Sequence, residues 1–223
     1  MRLVRLAWVF IALFFLTWSW ILWKAPVGQA QQQQQQPETT PLPADLGAIL
    51  KKQFGPCFTI ATDRGSSNGL KYLHPAPPSA PWEPFFTADL DADGAEDAVI
   101  VARCKTPLKD EAAFNYKVVD PYYTNYGYGN PKITAQFNSQ DPNRQNLVLI
   151  IHGVGKEGWR AETPKAKYVF INLPFDTISL SRVMHKRHAV PAISLLEEDN
   201  NLTSAVFWDG KKWKWADTGA GTP

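Results

Sequence analysis

Nine residues constrain this chain more than any others. Asp89-Leu90-Asp91-Ala92-Asp93-Gly94-Ala95-Glu96-Asp97 places aspartates at positions 1, 3, 5 and 9 of a loop, with glycine at position 6. Carboxylates this close repel one another strongly unless a divalent ion neutralises them. Alternate side chains can converge on one point while Gly94 allows the sharp bend at positive φ, and the Ala95 carbonyl would supply a position-7 ligand. Donors that are all oxygen, with no His or Cys among them, favour Ca²⁺ over Zn²⁺. The bland alternative is a solvated acidic turn, but the spacing is hard to reach by composition alone. Residues 83–87 and 98–102 are strand-like on either side, so the loop is expected to join two strands.

The loop is not an EF-hand, because position 12 is Ile100 where a bidentate Glu belongs and the exit is a strand. Residues 86–101 resemble instead the calcium loop of the FG-GAP/VCBS repeat family, with an aromatic (Phe86) before the acids and an apolar strand after them. The resemblance implies Asp89, Asp91, Asp93 and Asp97 as side-chain ligands of a structural Ca²⁺. Members of that family usually carry several tandem copies. This chain has one match and no convincing repeat, which argues against a complete propeller.

The amino terminus decides the compartment. Arg2 and Arg5 precede an apolar run over residues 6–23 that is interrupted only by Thr17 and Ser19. Gly28-Gln29-Ala30 fits a signal peptide cut after Ala30, whereas Trp18, Trp20, Trp23 and Lys24 fit the interfacial belt of a retained transmembrane anchor. Both readings place the body outside the cytoplasm, either secreted or periplasmic, or held at the membrane through residues 6–23. Residues 31–43, six Gln followed by spaced Pro, lack the apolar surface for a core and read as a disordered linker.

Residues 44–223 then read as one exported domain. A helical spacing of Leu46, Ile49, Leu50 and Phe54 stops at Gly55-Pro56, and residues 108–114 suggest a second short helix. Residues 57–60, 147–152, 168–173, 192–196 and 205–208 are strand-like, and residues 208–215 read as a closing hairpin turning at Asp209-Gly210. The expected fold is mainly β (α+β): one domain rich in antiparallel sheet with one or two short helices. Residues 120–131 are expected to be an irregular loop.

Cys57 and Cys104 are the only cysteines, and an even count in an exported chain makes a disulfide the default. Tyr122, Tyr123, Tyr126 and Tyr128 lie among Gly127, Gly129 and Asn130. This is the composition of ligand loops that bind glycans or proteins, or of a loop whose rings pack back on the body. Ile150-Ile151-His152-Gly153 invites an oxyanion-hole reading, but no Gly-x-Ser-x-Gly elbow supplies a nucleophile, so His152 reads as a strand end before a turn. His185-x-x-His188 could share a metal on a helical face, yet Arg182, Lys186 and Arg187 surround it. A solvated basic turn able to meet an anionic surface is the better account.

Charge adds one exclusion. The 23 Lys+Arg against 21 Asp+Glu give +2, but Arg2, Arg5 and Lys24 precede residue 31, and the remainder carries 20 against 21. No basic patch argues for nucleic acid. The function expected from sequence is a non-enzymatic exported or membrane-tethered domain with one structural Ca²⁺ loop. A carbohydrate- or cell-envelope-binding module using the tyrosine loop, and a hydrolase whose site the residues do not reveal, are the alternatives.

Overall fold

A computed structural model describes residues 41–64, 82–127, 146–197 and 202–219. The putting together of the fold follows from two strands that are apolar on both sides. β3 (Asp97–Arg103) and β5 (Leu147–His152) are antiparallel neighbours, with Ala98 opposite Ile151 and Ala102 opposite Leu147. Strands buried on both faces read as continuous apolar runs rather than alternating ones. Here Ala98, Ile100, Ala102, Leu147, Leu149 and Ile151 face one core, and Val99, Val101, Val148 and Ile150 face a second.

The first core is closed by α1 (Leu46–Phe54), whose Leu46, Leu50 and Phe54 are buried against the sheet. The helix ends where the sequence said it would, at Gly55 with φ 100°. A side chain there would strike the Phe114 ring, 2.6 Å from an ideal Cβ, so glycine serves both the backbone and the packing. The second core lies between the two sheets. Phe170 and Tyr168 on one side meet Ile178, Ile193, Leu195, Val206 and Trp213 on the other. The layers are therefore helix, sheet and sheet.

The six-stranded sheet runs β1 (Thr59–Ile60), β3, β5, β6 (Ala166–Phe170), β4 (Lys117–Val119), with β2 (Phe85–Ala88) also on β3. Among the described residues only the β4–β6 pair in it is parallel. The second sheet is a meander of β7 (Thr177–His185), β8 (His188–Glu197), β9 (Leu202–Trp208) and β10 (Trp213–Asp217), all antiparallel. The fold is mainly β, as the strand patterns imply, and the described residues form neither a closed barrel nor a propeller.

Two departures from the sequence reading have local causes. A third short helix, α3 (Pro121–Asn125), follows α2 (Glu111–Phe114) within the stretch read as loop. Pro121 opens it and the buried Asp120 carboxylate accepts a bond from Tyr123 N at 2.9 Å, a start signal hidden among turn-forming residues. β7 lacks a continuous apolar run because Ser179, Ser181 and Arg182 separate Ile178, Leu180 and Val183, and its Leu180 and Met184 are exposed. The basic turn expected at residues 182–188 is present: His185 and His188 are the closing pair of the β7–β8 hairpin, whose exposed turn, Lys186-Arg187, has φ of 47° and 69°.

Cys57 and Cys104 form the expected disulfide, with Cα atoms 5.2 Å apart. It ties the entry to β1 to the end of β3 and closes a separation of 47 residues. Among the described residues no helix is long and apolar enough to cross a membrane. Residues 6–23 and 31–40, together with Tyr128, lie outside the described residues.

Candidate metal centre

The acidic loop joins β2 to β3, as expected from the strand patterns on its flanks. Its carboxylates first fold the loop itself. Asp89 accepts the amides of Asp93 and Gly94 on its two oxygens at 3.1 and 3.0 Å, and Asp93 Oδ1 accepts the Ala95 amide at 2.9 Å. Ala92 at φ 59° and Gly94 at φ 87° supply the left-handed steps that let the chain close on itself. One oxygen each from Asp89, Asp91 and Asp93 consequently lies within 4.8 Å of the others. Ligands on opposite sides of a Ca²⁺, each roughly 2.4 Å away, would be separated by about that much.

Asp97 is placed differently from its three companions. It is fully buried as the first residue of β3, with Oδ2 accepting the Leu90 amide at 2.8 Å and Oδ1 accepting the Gly153 amide at 2.8 Å. It pins both ends of the loop to the turn that follows β5. His152 Nδ1 stands 3.2 Å from Asp97 Oδ2 and 3.4 Å from Asp91 Oδ2, so Asp91, Asp97 and His152 form a second donor group. The arrangement thus splits the four aspartates: Asp91 belongs to both groups, Asp89 and Asp93 to the outer one, and Asp97 to the inner one. Ala95 is buried within the loop.

His152 ends β5 before a turn, as its sequence setting implies, but the sequence reading missed its place beside the acids. The β3–β5 register is the reason: with Ala98 opposite Ile151, the next pair along is Asp97 and His152. The imidazole is enclosed by Trp213, stacked at 5.5 Å, and by Tyr168 and Trp208 edges at 5.6 and 5.7 Å. Gly153 is required by the same contact. A Cβ there would fall 2.2 Å from the Glu96 carbonyl oxygen and 2.6 Å from the backbone of Gly158. Glu96, the one loop acid outside both groups, accepts from Thr87 Oγ1 at 2.9 Å and from Trp159 Nε1 at 3.1 Å.

A second residue missed by sequence reasoning is Lys165. Its amide donates to the His152 carbonyl at 3.0 Å, which holds it at the mouth of the loop. From there Nζ reaches Asp91 Oδ2 at 2.7 Å and Asp93 Oδ2 at 2.6 Å. No local motif marks it, because it lies 72 residues beyond Asp93. The Lys165 bond holds the Asp93 carboxyl below the usual carboxylate range, and Asp91 and then Asp93 push the Lys165 ammonium above the usual lysine range. Burial, reinforced by the Asp91 charge, raises the Tyr168 phenol. Asp91 Oδ1 is different again: it is buried and has no hydrogen-bond partner among the described residues.

The tyrosine loop has become a small aromatic cluster. Tyr122 packs edge-on against Trp215 at 5.2 Å and Tyr126 at 5.2 Å, and Tyr126 lies 5.9 Å from Trp215. Tyr122 is drawn into the core between the sheets, while Tyr126 remains 55% exposed. Tyr123 touches Tyr122 at 5.4 Å.

Compared with known proteins, the chain matches no family model, and no curated protein or solved structure is significantly similar to it.

Proposed function

We propose that this protein is an exported or membrane-tethered, non-enzymatic domain whose acidic loop binds one structural Ca²⁺. The observation that carries the reading is the convergence of Asp89, Asp91 and Asp93 to ligand separation on a loop that joins two strands of the main sheet. The partnerless buried Oδ1 of Asp91 supports it, since a buried carboxylate oxygen without a partner is costly and a cation would satisfy it. The Cys57–Cys104 bridge supports the compartment, because structural disulfides persist in oxidising environments outside the cytoplasm. The resemblance of residues 86–101 to the FG-GAP/VCBS calcium loop points to the same role.

Calorimetric titration of the full-length protein with Ca²⁺ tests this directly. We expect one site of roughly 10⁻⁴ to 10⁻³ M, the range of extracellular calcium modules, and its loss in Asp89→Ala/Asp93→Ala. Heat flow indistinguishable from dilution would remove the calcium reading.

A second reading rests on Tyr126. An exposed ring backed by Tyr122 and Trp215 is a rigid surface on which a sugar face can stack. Binding to a cell-envelope glycan that Tyr126→Ala abolishes, with unchanged melting, would establish it; an array without hits would exclude it.

A further inference from the structure

Lys165 occupies the position a metal ion would neutralise. Its ammonium is within hydrogen-bonding distance of one oxygen of Asp91 and one of Asp93, two of the three carboxylates that converge in the outer group. Its backbone is fixed by the bond to the His152 carbonyl, but its side chain is half exposed, on a flexible four-carbon stem free to swing outward. We propose that Lys165 is a built-in competitor of the calcium ion: it neutralises the loop in the metal-free protein and must leave when the ion enters. The proposal rests on the calcium reading given above and names the residue that sets the affinity of that site.

Two observations carry it. The first is charge: an ammonium and a divalent ion cannot share the same two carboxylate oxygens, because they would repel one another at contact distance. The second is what Lys165 leaves undone. The Asp91 side chain is 5% exposed, and its Oδ1 has no partner among the described residues even with Lys165 in place. A lysine reaches one edge of the donor set, whereas a Ca²⁺ with six or more ligand positions can also take the remaining oxygen. The consequence is a loop that stays folded without metal and binds it by exchanging one cation for another.

The test compares full-length wild type with Lys165→Met by calorimetric titration of Ca²⁺ alone. Two ion-pair contacts from a half-exposed ammonium, one of them to the largely buried Asp91 carboxylate, imply that the variant binds Ca²⁺ tighter by a factor on the order of tenfold. It should also melt lower than wild type in EDTA and regain much of the difference in Ca²⁺. Equal or weaker Ca²⁺ binding by the variant, with wild type binding, overturns the competition and leaves the calcium reading standing. Absence of binding in both proteins removes the calcium reading and this proposal with it. A measurement on wild type alone covers the case in which the variant does not fold. Lysine acetylation read by mass spectrometry should find Lys165 several-fold more reactive in Ca²⁺ than in EDTA, and unchanged reactivity at a Ca²⁺ concentration that saturates the site overturns the proposal.

Discussion

The acidic loop and the basic hairpin tip are both short, both dense in one sign of charge, and opposite in what the fold does with that charge. In the loop, residues 89–97, the carboxylates turn inward: Asp97 holds two backbone amides, Asp89 holds two more, and Lys165 comes from across the sheet to meet Asp91 and Asp93. At the tip, Arg182, Lys186, Arg187 and His188 point outward around a two-residue turn, beside Met184, which is 71% exposed. A run of like charges on a chain is thus a different object according to whether backbone topology closes around it. The loop lies between two strands of the central sheet, while the tip is the far end of a ribbon in the outer sheet.

The contrast can be broken or sharpened in order of expected effect. The largest concerns the disulfide, which braces β3 at the end opposite the loop and has no counterpart in the β7–β8 ribbon. In the chain-entropy model, closing 47 residues is worth about 4 kcal/mol, so reduction, or Cys57→Ser/Cys104→Ser, should lower the urea-unfolding free energy by up to that amount. A change below about 1 kcal/mol would show that β3 needs no brace.

Next comes Asp97→Ala. It strips the Leu90 and Gly153 amides of their acceptor in a buried setting, at about 1–3 kcal/mol each. We expect roughly 3 kcal/mol or more by urea denaturation. A loss under about 1 kcal/mol would mean the loop closes without Asp97 as its pin.

Acid should act on the loop through Asp93 and, outside both regions, on the β9–β10 turn through Asp209. Backbone bonds from Lys212 and Lys211, then Lys214, pull the Asp209 carboxyl down to about 2, and Lys165 depresses Asp93. A carboxyl whose folded pKa lies below its unfolded value of about 3.9 stabilises fully above that value and loses its contribution as pH falls through the folded one. Denaturation curves should therefore show these contributions intact at pH 5 and declining between about pH 4 and pH 2. Stability that rises on acidification through this window would contradict the sign.

The smallest effect is expected at the tip. Lys186→Asn/Arg187→Gly keeps residues that accept positive φ and removes charges that make no ion pair among the described residues, so melting should move by no more than the equivalent of about 0.5 kcal/mol. A larger loss would mean that the tip charges are held as the loop charges are.

Much of this architecture was legible in the chain, for physical reasons that particular residues show. β5 reads correctly because Leu147 to Ile151 is apolar on both faces, and α1 because its apolar positions recur at helical spacing before a glycine. β7 was not read as a strand: Ile178 and Leu180 alternate with Ser179 and Ser181 over a short stretch only, the Arg182-Val183-Met184 step breaks that alternation, and cross-strand pairing with β8 carries the strand on to His185. The loop declared its acids and its bend locally. Its closure did not, since His152 and Lys165 arrive only through the β3–β5 and β5–β6 registers. Side chains gathered by pairing across 55 to 74 residues leave no local spacing to find.

The central claim is that the loop holds calcium, and thermal melting of the full-length protein in about 10 mM CaCl₂ and in EDTA tests it most directly. A site of roughly 10⁻⁴ to 10⁻³ M would stabilise the fold by about 1.4–2.7 kcal/mol at that concentration, a rise in Tm of about 3–10 °C. The account predicts that rise for wild type and its disappearance in Asp91→Ala. The same Tm with and without calcium would contradict it.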